Sequence, residues 1–201
     1  MSADNDLAFS CRCGAVTGMI VDASKRDGDY VICHCTDCQR FATLCDAEDR
    51  ILDSHGGTEL FQSRCAAVKI AEGRERLACL HLTEMPTLRW YAECCKSPMF
   101  NTYKNARLPY ITTILGNTDV ARRKTLLGQP QGHLFVEEAR GDLGDVPKMS
   151  LAKLLRRFAV RLAKDLFAGD RRRTALFDPG TLEPIATPVR IRADRTDLAS
   201  S

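Results

Sequence analysis

The sequence predicts a mainly β domain of short antiparallel strands, followed by one C-terminal amphipathic helix. Apolar residues alternate within short segments separated by turns, strands do not alternate with helices as a parallel sheet would require, and a single long stripe at helical spacing comes late. Residues 15–21 and 30–32 are β-prone runs on either side of the turn-rich stretch 22–29. After the Gly56-Gly57 turn come residues 58–63, then 66–72 and 75–83, the last two joined across Gly73 as neighbours in an antiparallel meander. Val68 and Ile70 alternate on one of these, and Ala78, Leu80 and Leu82 on the other. Residues 87–92 and 110–115 supply two further strands. From 151 to 168, between Ser150 as N-cap and Gly169 as terminator, Leu151, Leu154, Leu155, Phe158, Leu162 and Leu166 form one helical stripe. Lys153, Arg156, Arg157, Arg161 and Lys164 take the rest of the surface, so the leucines are expected to face the domain. The tail from Thr174 carries Pro179, Pro184 and Pro188 without periodicity and reads as an extended segment, lying over the domain or free. The chain thus divides into a cysteine-bearing β domain at 1–147 and a basic helix with an irregular tail at 148–201 packed on it.

Composition narrows the class. Of 201 residues, 44% are hydrophobic and 27% charged, enough apolar material for one ordinary core. Ten cysteines make about 5% of the chain, below the roughly 8–10% of small disulfide-held scaffolds. Uncharged stretches reach only about half the roughly 20 residues of a membrane span. The N-terminal Met1-Ser2-Ala3-Asp4-Asn5-Asp6 is acidic where a signal peptide is basic and then apolar. A cytoplasmic location is therefore expected, and in a reducing compartment cysteines are read for metal before disulfide. The net charge of +3 is uneven: residues 148–173 hold nine Lys or Arg against two Asp, leaving the remainder acidic.

Three cysteine clusters stand at predicted strand ends: Cys11-Arg12-Cys13-Gly14, Cys33-His34-Cys35-Thr36-Asp37-Cys38, and Cys94-Cys95. Zinc takes four tetrahedral ligands, and a C-x-x-C turn such as Cys35 to Cys38 brings two sulfurs to one ion. Cys33 adds a third. Three protein thiolates with no nearby fourth leave a position for water or a substrate thiol, as in a catalytic site. Cys11 and Cys13 need completion from elsewhere, for which Cys94 and Cys95 are the source. The competing reading of Cys35 and Cys38 as a redox dithiol lacks the βαβ context such motifs usually have. Cys45, Cys65 and Cys79 fall outside the clusters and read as core residues. His34 alternates with its flanking cysteines and should point away from them. His55, His81 and His133 read as ordinary polar or core histidines, and Trp90 and Tyr91 as packing residues. Arg40 is a candidate partner for a substrate carboxylate, against a solvated surface role.

The order Cys11-Arg12-Cys13-Gly14-Ala15-Val16, then Cys33-His34-Cys35-Thr36-Asp37-Cys38-Gln39-Arg40, then Arg89-Trp90-Tyr91-Ala92-Glu93-Cys94-Cys95-Lys96-Ser97 resembles the glutathione-dependent formaldehyde-activating enzyme (Gfa) family, also called the centromere protein V domain. The resemblance spans roughly residues 7 to 120. It implies a β-tent (Mss4-like) fold with two zinc sites, Cys33, Cys35 and Cys38 holding the open one and Cys11, Cys13 and Cys95 belonging to the closed one. The third motif departs from the family pattern: Ala92 stands where its first cysteine belongs, and Lys96 where glycine is usual. Cys94 as a substitute, a water-completed site and an empty one are the alternatives.

The expected function is that of a zinc-dependent carbon–sulfur lyase acting on glutathione or a similar thiol adduct, such as S-hydroxymethylglutathione, with one or two zinc ions per chain. No Ser-His-Asp set, phosphate-binding loop or dinucleotide fingerprint is present. The alternative is a non-catalytic zinc module whose basic helix meets nucleic acid or an anionic membrane surface. Nucleic acid is not the expected partner, since most amphipathic stripes face a core.

Overall fold

The computed structural model describes residues 5–191 and 198. Strands β1 (Leu7–Ser10), β2 (Thr17–Ile20), β3 (Asp29–Cys33), β4 (Thr58–Ser63), β5 (Val68–Glu72), β6 (Leu77–His81), β7 (Thr87–Ala92), β8 (Ser97–Tyr103), β9 (Ile111–Ile114), β10 (His133–Leu134) and β11 (Val189–Arg190) form two sheets. The smaller runs β1-β2-β5 and the larger β10-β3-β4-β9-β8-β7-β6-β11. Pairing is antiparallel except at the two ends of the large sheet, where β10 lies parallel to β3 and β11 parallel to β6. Helices α1 (Thr36–Leu44), α2 (Glu48–Ile51), α3 (Val120–Leu127) and α4 (Leu151–Ala168) complete the chain. Among the described residues, no helix is long and apolar enough to cross a membrane.

Alternation along each strand builds a core on both faces of the large sheet. Phe61, Cys79 and Trp90 point toward the small sheet and pack with Leu7, Phe9, Ile20 and Val68. Their neighbours Leu60 and Leu80 point the other way, onto Phe41 and Leu44 of α1 and Ile51 of α2. Burying each such side chain contributes about 1.5–3 kcal/mol. The tail joins the first core: Phe177 meets Trp90 edge-on, ring centroids 5.9 Å apart, and β11 seals β6.

The structure corrects the expected meander. Residues on either side of Gly73 do not form a hairpin: β5 pairs with β2 in the small sheet, whereas β6 pairs with β7 in the large one. Gly73 makes the change of sheet possible. Its φ of +73° is left-handed, and a Cβ there would lie 2.0 Å from the Ala15 carbonyl oxygen.

The long helix is also seated differently from the expectation. Ser150 caps it and left-handed Gly169 ends it as predicted, but the leucine stripe does not face squarely inward: Leu155 is 63% exposed and Leu166 45%. Two of the supposedly solvated cations turn inward instead. Arg157 and Arg161 both bind the fully buried carboxylate of Asp29, and Asp165 and Asp170 both bind Arg64. A buried charge must be matched, so these ion pairs fix the rotation of the helix and leave one edge of its stripe uncovered. Leu151's side chain lies outside what the structure describes.

Candidate metal centres and the adjoining cavity

The first cysteine group forms where β3 runs into α1. Cys33 ends the strand, Cys35 is the helix N-cap in extended conformation, and Cys38 lies in the first turn, its N–H bonded to the Cys35 carbonyl at 3.0 Å. Alternation sends His34 to the opposite side, where it is buried with Nε2 2.9 Å from Nδ1 of His133. Glu138 reaches across from a distant loop and accepts from the N–H and hydroxyl of Thr36, each at 2.6 Å, which fastens the helix start. Cys33 Sγ lies 3.3 Å from Cys35 Sγ and 3.8 Å from Cys38 Sγ. A tetrahedral ion with thiolates at about 2.3 Å sets sulfur separations of roughly 3.8 Å, so the donor set fits zinc.

Arg89, on β7 behind this group, is buried. Its Nη1 donates to Cys38 Sγ at 3.4 Å and to Asn101 Oδ1 at 3.0 Å, and its Nη2 lies 3.5 Å from Asp37. Asn101 is held in turn by donating to Thr112 Oγ1 at 3.0 Å. Hydrogen bonds with Cys33 and Cys35, and then the Arg89 guanidinium, hold the Cys38 thiol well below its ordinary range. Cys33 is pushed well above it, first by its hydrogen bond with Cys35. Arg40, the cation singled out from sequence, instead donates to the Leu82 carbonyl. Arg89 was visible only as part of the third motif; that β7 packs behind the β3–α1 junction is a long-range fact.

The second group forms at the end of β1 and the turn between β7 and β8. Cys11 Sγ lies 3.6 Å from Cys13 Sγ and 3.9 Å from Cys94 Sγ, Cys13 lies 3.3 Å from Cys94, and Cys95 lies 3.9 Å from Cys94. Ala92 is buried in β7 and its carbonyl accepts from the Cys95 N–H, so the vicinal pair brings both sulfurs to the group without a cysteine at 92. The turn needs a left-handed residue next, and Lys96 supplies it with φ of 54°, where the resembling family has glycine. Burial opposes ionisation of Cys95, but hydrogen bonds from the Ser97 hydroxyl and from backbone N–H groups outweigh it and bring the thiol down to about 6.

Each group's sulfurs all lie within 4.8 Å of one another, a clustering that can hold a metal ion. The seven cysteines are those named from sequence. Cys45, Cys65 and Cys79 are buried and belong to neither group, and burial pushes each thiol up. Trp90 is a packing residue, its Nε1 donating to Thr102 Oγ1 at 2.8 Å.

The three-cysteine group opens on a cavity of about 610 Å3, which Arg89, Asn101 and Tyr110 also line. Its far wall is α4, through Leu154, Leu155 and Phe158, with the Phe158 ring edge-on to Tyr110 at 5.6 Å. Burial pushes the Tyr110 phenol up to about 12. The four-cysteine group lines none of the cavities described among these residues.

Among curated proteins, none matches the sequence significantly. A crystal structure of a Rhodobacter sphaeroides protein is similar at 14% identity and a TM-score of 0.40, over 60% of this chain and 97% of that one. The model of a family of unknown function, DUF6151, matches residues 2–187, and the chain belongs to that family.

Proposed function

We propose that the protein is a zinc-binding, Mss4-like β-tent enzyme whose three-cysteine centre takes a thiol, or a thiol's adduct with an aldehyde, and makes or breaks its carbon–sulfur bond. One observation carries this reading: Cys33, Cys35 and Cys38 converge, no fourth cysteine, histidine or carboxylate among the described residues joins them, and they line a cavity of ligand size. The four-cysteine group is the closed, structural counterpart. The resemblance of the cysteine motifs to the Gfa family supports the same chemistry and supplies glutathione as the first thiol to try. The cytoplasm is the compartment proposed, because thiolate ligands persist where thiols stay reduced.

Zinc in the open centre would lower the pKa of a thiol and make thiolate available at neutral pH. The chain's own residues supply the remainder. Arg89 sets one guanidinium against the negative charge of the three thiolates. Tyr110 remains a protonated phenol at neutral pH and is placed to donate a hydrogen bond to an adduct oxygen. The α4 wall excludes water from one side. Formation of an S-hydroxymethyl adduct joins sulfur to the carbonyl carbon and moves the thiol proton to the oxygen; cleavage reverses both.

The binding-module alternative has fewer cations to work with than the sequence suggests, since Arg157 and Arg161 are committed to Asp29. Elemental analysis of protein purified under reducing conditions should find two zinc ions per chain. Cys35→Ser should lose one of them together with calorimetric thiol binding, and formaldehyde plus thiol should yield adduct above the uncatalysed rate. Zinc-free protein of normal stability would remove the reading.

A further inference from the structure

We infer that the open centre is selective for a hydrophobic thiol, or the adduct of one, in place of glutathione; this rests on thiol binding at Cys33, Cys35 and Cys38. Glutathione carries two carboxylates and one ammonium and needs cations in its site. The described lining holds one, Arg89, which is buried and already bound to Cys38, Asn101 and Asp37. Its other charges are of the wrong sign. Asp37 and Glu138 line the cavity, and the Thr36 hydrogen bonds keep Glu138 ionised by holding its carboxyl low. With zinc bound, the three thiolates, Asp37 and Glu138 still outweigh the ion and Arg89 in formal charge, so the cavity disfavours an anionic ligand.

The apolar side of the argument is independent of charge. Three large hydrophobic side chains from separate parts of the chain stand at the solvent side of this one cavity: Met85 of the β6–β7 loop, 63% exposed, Phe135 after β10, 40% exposed, and Leu155 of α4, 63% exposed. Exposed apolar clusters of this kind mark binding surfaces. Phe135 sits there on a left-handed backbone, φ 55°, which a bulky residue seldom adopts. Deeper in, Leu60 and Leu134 of the sheet face Phe158 of α4. The ion pairs that rotate α4 therefore turn part of its leucine stripe toward the cavity instead of toward the core. An alkyl or aryl group lying between the sheet and α4 would bury both surfaces while its sulfur reaches the cysteines.

The test is calorimetry on the zinc-loaded protein with ethanethiol, butanethiol, hexanethiol, benzyl thiol and glutathione. Affinity should rise by roughly fourfold per added methylene along the alkyl series, and glutathione should bind more weakly than hexanethiol. Leu155→Lys changes an exposed side chain, so the fold should survive, as thermal melting will show. It should weaken hexanethiol about tenfold, the equivalent of ~1.4 kcal/mol, and narrow its advantage over glutathione. Glutathione binding as tightly as hexanethiol, or an alkyl series without a slope, would overturn this inference and leave the thiol-binding centre standing. Failure of every thiol to bind would overturn both.

Discussion

At the turn between β7 and β8 four sulfurs converge and none of them lines a cavity described among these residues; at the β3–α1 junction three sulfurs converge and line one of about 610 Å3. The chain reaches these ends by different means. The four-cysteine group comes from two hairpin-like segments of backbone, so its cost is conformational, a left-handed Lys96. The three-cysteine group starts a helix, needs a glutamate from about a hundred residues away to cap it, and is backed by a buried guanidinium. Four sulfurs that tie two segments some eighty residues apart suit a site that holds a fold together, while three sulfurs from one short segment, backed by a buried guanidinium and lining a cavity, suit one that meets a ligand.

The largest effect should separate the two groups by stability. Structural zinc binding is folding free energy, so Cys11→Ser should destabilise the protein on the order of 5 kcal/mol, lowering the melting temperature by roughly 10–20 °C. Cys35→Ser should cost much less stability but abolish thiol binding. Melting curves showing equal losses would erase the distinction between a closed and an open centre.

Asp29→Asn tests whether the open centre depends on the seat of α4. It leaves Arg161 buried without its carboxylate, which should cost about 3–5 kcal/mol. Because α4 walls only the cavity of the three-cysteine group, thiol affinity should fall while the zinc of the four-cysteine group stays bound. Unchanged thiol affinity in a variant destabilised this much would show that the wall is dispensable.

This same seat marks how far the sequence could be read. The cysteines, their grouping and the strand 87–92 were legible because each is written in local spacing or alternation. Strand β8 was not, because Ser97 to Thr102 are all buried and show no alternation, nor was α1, whose first turn was read as metal spacing alone. The rotation of α4 was hidden for another reason: the stripe of leucines is local, but the partner that outweighs it, Asp29, lies more than a hundred residues away. Leu155→Asp, which a stripe facing the core would make severe, should therefore change stability by less than about 1 kcal/mol.

The metal-stripped protein offers a pH comparison. Cys95, with its thiol held down to about 6, has a folded pKa below its unfolded value near 8.5. It therefore contributes stability that is fully present above about 8.5 and lost as pH falls through about 6. Cys95→Ser should flatten that part of the stability–pH profile in denaturant titrations. An unaltered slope would mean that the hydrogen bonds at this turn do not favour its thiolate.

The smallest expected change concerns Lys96, where the closed group departs from the glycine of the resembling family. Its φ of 54° is a conformation that a residue with a Cβ adopts at a cost of roughly 1 kcal/mol, and glycine adopts freely. Against that relief, Lys96→Gly gives up the Nζ hydrogen bond to the Leu198 carbonyl at 2.8 Å and adds entropy to the unfolded chain. The hydrogen bond is worth about 1 kcal/mol at most for a partly exposed lysine, so the terms nearly cancel and the net shift should stay within about 1 kcal/mol of zero. Zinc content and thiol binding should be unchanged. A large loss of stability would instead show that the lysine anchors Leu198 and that the closed group depends on more than its own turn.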